Sequence, residues 1–519
     1  MAIAKYFSKD LLAINQLLKS KAYGLEQILT NVQIGIYFDD KSIQENEGRL
    51  CCDLLVRLIS RLYPKIAIVN DDASARAEEL ITLAKSINRS IDIETTLDNC
   101  TCVILLGDGP AKVPKNCQTF FIGSDNWIGY ISQTKPKSFG NSSNPFGPGI
   151  AACIVLANVF KFTLSDFFSQ KLDKEIAFSA LELSATPKSN PAYTDVNLNR
   201  LCVVGIGAIG SGLLWAFSKI PTLNGTLDLI DHESISLSNL QRYVLFGESD
   251  EGSLKVEKAK LHFNNPNLLI NAFDVKWSAY LNKTQNWNNL QVAVAIDNKK
   301  DRIAIQSSLP FKIFNAYTEE NLIGVATHAD FVNAACLACG YIPNQKERNY
   351  TEEVAVNCNI PNHANFVKDY LNLNLPVDAR YNNNTVSMLD VISTANAIPR
   401  EALIQFHGKR IEQFYSEFIC GGISMSLSTI GQEKVSNVDA PLAFQSAMAG
   451  ILLAARIVGD ALGLNKSFKQ QSHIYPLNPI AEFNPYNHNL QKDTTGSCIC
   501  ADQVFIERYK SKWPVNEKN

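Results

Sequence analysis

The sequence carries no long basic run. Its 48 Lys and Arg stand against 51 Asp and Glu, a net charge of -3 over 519 residues, so nothing in it tracks a phosphate backbone and nucleic acid is not an expected partner. An uninterrupted apolar stretch of membrane-spanning length is missing too. The two runs that come closest, GIAACIVLANVF and LAFQSAMAGILLAA, are ended by Lys161 and Arg456, short of the roughly 18 residues a transmembrane helix requires. Both are expected as buried helices, with no membrane partner. The opening MAIAKYFSKDLL lacks the apolar core and cleavage site of a secretory leader, which points to the cytoplasm. Histidine is scarce, seven in all, with no H-x-x-x-H pair. His363 and His407 are therefore expected at the surface, and His232 is assigned no role. Cysteine is not scarce: thirteen, in a chain without a leader, read as thiols kept free for metal or catalysis rather than as a disulfide scaffold.

Hydrophobic residues make up 46% and charged residues 19%, a globular composition that excludes disordered and collagen-like classes. At roughly 100–200 residues per domain the length predicts two to four domains. Residues 1–190 alternate helical runs (DLLAINQLLKSK, GRLCCDLLVRLISRLY) with strand-like ones (KIAIVN, CTCVILLG), an α/β pattern without a glycine-rich phosphate loop. The polar, proline-broken SATPKSNPAYTDVNLNR reads as a domain junction. A second α/β domain is expected over 191–340, a helical insertion over 341–425 with helices at LDVISTANAIP and ALIQFHGKRIEQFYSEF, and a closing segment over 426–519. Each half places an apolar helix of small residues late in its α/β unit, at GPGIAACIVLANVFK and AFQSAMAGILLAARIV, which hints at duplication.

Gly205, Gly207 and Gly210 form G-x-G-x-x-G between the strand LCVV and a helix, so backbone amides there are placed to receive phosphate oxygens. A second strand ends at Asp231, where a carboxylate accepts hydrogen bonds from a ribose. Alone, these fit a dehydrogenase equally well. The next stretch, LIDHESISLSNLQRYVLFGESDEGSLKVEKAK, adds Asn239, Arg242 and Lys255. Cations converging on a phosphate site offset the charge that develops as pyrophosphate leaves, which suits nucleotidyl transfer. The strand VAVAID delivers Asp297, a carboxylate suited to Mg²⁺, followed by Arg302.

At these residues the chain resembles ubiquitin-activating enzymes and the bacterial enzymes that adenylate sulfur carriers in molybdopterin and thiamine synthesis. LIDHESISLSNLQRY follows the family's D-x-D-x-V-x-x-S-N-L-x-R-Q motif and GSLKVEKA its G-x-x-K-V/A element. The resemblance implies that Asp231 binds ribose, that Asn239, Arg242 and Lys255 contact the ATP phosphates, and that Asp297 serves the metal. Glu233 stands for the usual second Asp and keeps its charge within the nucleotide site, whereas Tyr243 stands for the usual Gln.

Cys336 and Cys339 (C-x-x-C) with Cys498 and Cys500 (C-x-C) fit a tetrahedral structural Zn²⁺ site. Two further cysteines compete as a thioester nucleophile. Cys420, in FICGGISMS before the late apolar helix, resembles the reactive cysteine of noncanonical activating enzymes of bacterial ubiquitin-like systems and autophagy. Cys358, in VAVNCNIPNHANF, has the proline and histidine that follow the reactive cysteine of eukaryotic activators, without the adjacent Thr. The other cysteines in or beside apolar runs read as small buried hydrophobes.

The resemblance implies an α/β chain of two Rossmann-like adenylation-type domains, the first inactive and the second active, with a helical catalytic-cysteine insertion. In combining such halves with a C-G-G cysteine, the chain resembles the activating component of bacterial ubiquitin-like conjugation operons associated with phage defence. The expected activity is adenylation of a ubiquitin-like β-grasp protein with ATP and Mg²⁺, thioester formation, and transfer to a ubiquitin-conjugating-like enzyme. A sulfur-carrier adenylyltransferase without a thioester, or a nucleotide-binding scaffold, is the alternative, and homodimerisation stays open.

Overall fold

Short β-branched runs form the strands here, and the amphipathic or wholly apolar stretches between them form the helices. The structure, a computed structural model, describes residues 24–70, 75–107, 112–167, 171–285, 288–341, 350–373, 375–380, 385–396, 398–415, 441–464, 468–494 and 498–514, with Leu11, Ile14 and Gly496. The expected helix DLLAINQLLKSK therefore lies outside the described residues, apart from Leu11 and Ile14.

In the first half, Ile34–Phe38 (β1), Lys65–Asn70 (β2), Asp92–Glu94 (β3), Cys102–Leu106 (β4), Gln118–Asp125 (β5), Ile128–Ser132 (β6) and Glu175–Ser179 (β7) form one sheet. Its order is β3-β2-β1-β4-β5-β6-β7. The first five strands run parallel, β6 is antiparallel to β5, and β7 is antiparallel to β6. In the second half, Val196–Val204 (β8), Leu223–Ile230 (β9), Leu268–Phe273 (β10), Gln291–Val294 (β11), Lys312–Glu319 (β12), Leu322–His328 (β13), Gln471–Ile474 (β14) and Tyr486–His488 (β15) take the order β10-β9-β8-β11-β12-β13-β14-β15. Strand for strand this repeats the first sheet and adds β15. The duplication hinted at by the two apolar helices is thus a repeat of sheet topology, and both halves are Rossmann-like. Every residue of β1 and β4 is buried, as parallel strands covered on both faces require.

Four helices pack together in the core behind the glycine loop: α1 (Asn46–Leu62), α2 (Phe146–Thr163), α3 (Ala208–Ser218) and, after the long insertion, α6 (Ala443–Ala461). Between α3 and α6 lie α4 (Lys255–Lys260) and α5 (Lys299–Ser307). Helices α3 and α6 cross where Gly450 lets the backbones touch: a Cβ there would sit 2.2 Å from the Ile209 carbonyl oxygen. The run in α2, too short by its apolar pattern to cross a membrane, is longer than that pattern predicts. The helix spans 18 residues with a mean hydropathy of 1.5. Its length and composition would allow a span, and burial marks it as a core helix, since 89% of that window is covered by the protein itself.

The chain forms two compact units, Met1–Ile342 with Pro441–Asn519, which holds both sheets, and Pro343–Ala440. The second unit is helical. Tyr350–Asn357, Ala364–Asn372, Met388–Asn396 and Ile411–Tyr415 enclose a core that includes Val367, Tyr370, Leu389, Ile392 and Phe406. The periodicity of ALIQFHGKRIEQFYSEF predicts one helix. The stretch is instead a 3₁₀ segment, Arg400–Phe406, then a turn at Gly408 (φ +76°), then the helix Ile411–Tyr415. The turn breaks the 3.6-residue period because Gly408 adopts the left-handed region.

Candidate active site

The glycine loop sits at the carboxyl end of β8, beside the ends of β9 and β11. Gly205 has φ +93°, and a Cβ on it would lie 2.6 Å from the Ala295 carbonyl oxygen, so only glycine fits this turn. Gly210 allows α3 to close on the strand, since a Cβ there would meet the Gly205 carbonyl oxygen at 2.1 Å. Gly207 caps α3 and faces the Tyr243 hydroxyl, 3.4 Å from where its Cβ would be. The missing side chain leaves room for a phosphate between the helix N-terminus and that hydroxyl.

Asp231 follows β9 and ties this loop down. Its two carboxylate oxygens accept the backbone N–H groups of Ile206 (2.7 Å) and Glu233 (2.9 Å). A carboxylate has about four lone-pair sites, so it retains capacity for ribose hydroxyls.

Lys255 begins α4 with a side chain only 1% exposed. Its Nζ donates to the Glu233 carboxylate at 2.5 Å and to the Tyr243 hydroxyl at 3.2 Å, so two of its three N–H donors are engaged among the described residues. Burial opposes the charge on Lys255, but Tyr243, Asp231 and Glu233 outweigh it and hold the ammonium above its usual pKa. Glu233 shifts the other way. Its own burial would raise it, yet Lys255 holds it below the usual carboxylate value. Arg242 donates to the Gln241 side-chain oxygen at 2.9 Å and lies 5.8 Å from the centre of the Tyr243 ring. Asn239 caps its own turn, its side-chain oxygen accepting the Ser236 N–H at 3.1 Å.

Asp297 is exposed just beyond β11. Beneath it, the buried guanidinium of Arg302 donates to the Ile296 carbonyl and the Asn315 side chain, fixing the end of the strand that carries Asp297. An exposed carboxylate at a strand end suits a hard cation with oxygen ligands, so this seat fits Mg²⁺. The structure thus brings Gly205, Gly207, Gly210, Asp231, Glu233 and Lys255 together about the glycine loop, with Arg242 against Tyr243 and Asp297 just beyond the end of β11. Sequence reasoning missed that Tyr243 and Glu233 are the direct partners of Lys255. The departure of Tyr243 from the family motif was the available signal.

The first half offers no such seat among the described residues. Where β8 runs into Gly205, β1 runs into Asp39, whose carboxylate accepts the Ser42 N–H at 2.7 Å. A carboxylate there repels phosphate.

Four thiols converge elsewhere in the same unit. Sγ separations are 3.4 Å for Cys336 to Cys498, 3.4 Å for Cys339 to Cys500, 3.6 Å for Cys339 to Cys498 and 3.9 Å for Cys336 to Cys339. A disulfide would need about 2.05 Å, whereas a tetrahedron with Zn–S of about 2.3 Å has edges of about 3.8 Å. The donor set and its spacing fit a tetrahedral metal. The one-residue spacer of the second pair works because Ile499–Ala501 is a 3₁₀ turn, and because the Cys498 amide is held by Asp493 at 2.8 Å.

The two thioester candidates fare differently. Cys420 lies outside the described residues. Cys358 is 0% exposed in the core of the helical unit, and burial pushes its thiol up to about 12. As placed, it is a packing residue with no exposed thiolate. His232, His363 and His407 are all exposed.

The profile of the ThiF family matches residues 183–492, and that of Prokaryotic E2 family C matches residues 37–165. The chain belongs to the ThiF family. Its glycine loop, Asp231, Lys255 and Asp297 all fall inside the ThiF match, and the family carries adenylyltransferase-type chemistry. The uncharacterized protein y4jF of Sinorhizobium fredii (strain NBRC 101917 / NGR234) is 35% identical over 520 residues, 99% of this chain and 98% of that protein. Among solved structures, E. coli MccB with MccA-N7isoASN is 19% identical with a TM-score of 0.25, covering 41% of this chain. PaaA is 20% identical with a TM-score of 0.21, covering 33%. The matches span 57% and 56% of those two chains, little more than half of each.

Proposed function

We propose that this ThiF-family chain activates a ubiquitin-like β-grasp protein at its C-terminal carboxylate, carries it as a thioester, and passes it to a ubiquitin-conjugating-like enzyme. One observation carries the reading: a buried, charged Lys255 held by Glu233 and Tyr243 beside a glycine loop that Asp231 pins in place. A redox dinucleotide site has no use for a buried ammonium at that position, whereas a triphosphate that must shed pyrophosphate does.

In this reading Asp231 accepts the ribose hydroxyls, and the amides at the start of α3 take phosphate oxygens. The partner's carboxylate oxygen attacks the α-phosphorus. A C(O)O–P bond forms, the bond from the α-phosphorus to the bridging oxygen breaks, and the electron pair leaves with pyrophosphate. Lys255 and Arg242 offset the charge that accumulates on the leaving group. Mg²⁺ held by Asp297 would supply further neutralisation of the phosphates. A thiolate then attacks the acyl carbon and AMP departs. With Cys358 packed away, the C-G-G motif of Cys420 is the better-supported nucleophile. Cys336, Cys339, Cys498 and Cys500 are assigned to a structural Zn²⁺. The cytoplasm is the compartment that fits twelve free cysteines without a disulfide among the described residues. The phage-defence setting rests on the resemblance of the halves and the C-G-G motif.

The test is ATP–pyrophosphate exchange with candidate β-grasp proteins ending in glycine, followed by non-reducing gels of Cys420→Ala and Cys358→Ala. Exchange with a reducible adduct lost only in Cys420→Ala is the expected result. Exchange without any adduct identifies a sulfur-carrier adenylyltransferase, and absence of exchange removes the adenylation reading.

A further inference from the structure

Helix α1 of the first half reaches the nucleotide site of the second through three side chains on one edge: Asp53, Arg57 and Arg61, spaced i, i+4, i+8. Arg61 is 1% exposed. One of its terminal nitrogens donates to the carbonyls of Tyr243 (2.5 Å) and Phe246 (2.6 Å), and the other to the carbonyl of Arg57 (2.5 Å). Arg57 donates to the Val244 carbonyl at 3.1 Å and pairs with Asp53 at 2.9 Å. Asp53 in turn accepts the indole N–H of Trp215, on α3, at 2.8 Å and lies 3.7 Å from the Lys219 ammonium. One edge of α1 therefore holds the carboxyl-terminal end of α3, the helix that the glycine loop begins, and the Tyr243–Phe246 turn.

That turn is closed by its own bond from the Phe246 N–H to the Tyr243 carbonyl at 3.2 Å and by buried side chains, and the three bonds donated to its carbonyls tie it to α1. Its first residue meets Lys255 through the hydroxyl and Arg242 through the ring. A shift of the turn would move Tyr243 and, with it, both cations.

We propose that Arg61 is a positioning residue for the triphosphate: by fixing the Tyr243–Phe246 backbone it sets where Lys255 and Arg242 meet the phosphates. The first half then contributes to the second half's nucleotide site through this turn. This rests on the adenylation reading above.

The experiment is calorimetric titration of the full chain with Mg·ATP and, separately, with AMP. Both are run on wild type and Arg61→Ala well below the unfolding temperature of each. Because the two cations serve the outer phosphates, Arg61→Ala is expected to lose about tenfold in affinity for ATP, the fold-change of about 1.4 kcal/mol, while AMP binding holds. A merely structural arginine would lower the unfolding temperature and leave the ratio of ATP to AMP affinity unchanged, and that result overturns the proposal. If Arg61→Ala does not fold, Arg57→Ala decides, since it removes the Val244 bond and the Asp53 ion pair from a less buried side chain and leaves the bonds of Arg61 in place. A lowered ATP-to-AMP ratio in it supports the proposal and an unchanged one overturns it. A wild-type protein that binds no ATP sinks the adenylation reading and this inference together, whereas normal wild-type binding with an unchanged variant ratio sinks the inference alone.

Discussion

Replacing Glu233 by Gln keeps the shape of the side chain that faces Lys255 and removes its charge. Hydrogen bonds to charged groups contribute about 1.5–3 kcal/mol, but the Glu233 side chain is 59% exposed, and solvent screening brings such a pair toward about 1 kcal/mol. That corresponds to about a fivefold loss in ATP–pyrophosphate exchange at neutral pH. The pH profile is more telling than the rate. Lys255 sits above the ordinary lysine value of 10.5 with help from Tyr243, Asp231 and Glu233, against the opposing effect of burial. Its contribution to stability is therefore complete below 10.5 and is lost as the pH rises through the raised value. Glu233, held below its ordinary 4.5, contributes above that value and loses its contribution as the pH falls through the lowered one. In Glu233→Gln the burial of Lys255 is less compensated, so the alkaline limb of the exchange profile moves to lower pH while the neutral plateau drops only modestly. An unchanged alkaline limb would show that Glu233 does not hold the Lys255 proton, and would refute the electrostatic account of the site.

Other parts of the structure give equally definite expectations. Gly205→Ala forces a left-handed residue at a cost of about 1–2 kcal/mol and drives its methyl to within 2.6 Å of the Ala295 carbonyl oxygen, so calorimetry should show ATP and AMP affinity falling together. Asp173→Ala removes the carboxylate 3.0 Å from the fully buried Lys161, leaving it the Lys171 carbonyl at 3.3 Å, and leaves the Ile480 amide without its acceptor. Thermal unfolding should show a loss of about 3–5 kcal/mol, of which pairing Asp173→Leu with Lys161→Met recovers the share due to the unpaired charge and leaves that of the Ile480 amide. Native mass spectrometry should find one zinc per chain, absent in Cys336→Ser and Cys498→Ser. Strong chelators should expose the helix Gln503–Lys512 to protease, because that helix and the four thiols share one core.

Much of the site was legible because its chemistry is written locally. A glycine turn between a strand and a helix, and an acidic residue at the end of the next strand, are fixed by short-range geometry that spacing reveals. The pairing of Cys336 and Cys339 with Cys498 and Cys500 was legible too, since thiols at such spacings have few other uses, although 159 residues separate Cys339 from Cys498. Other features were less visible. The helix expected at ALIQFHGKRIEQFYSEF failed at Gly408, where one positive φ overrode a periodic pattern. Cys358 looked reactive by its neighbours in sequence, and its burial came from the helices that pack around it.

The sequence by itself determined the two α/β halves, the nucleotide loop with Asp231, and the ThiF kinship, because strand period, glycine placement and motif order are properties of consecutive residues. Only the tertiary structure decided that Lys255 is buried against Glu233 and Tyr243, that Arg61 of the first half holds the turn beside it, and that Cys358 is closed off. Those depend on groups brought together from 12 to 185 residues apart, and desolvation, which sets their charge and reactivity, exists only once the chain has packed.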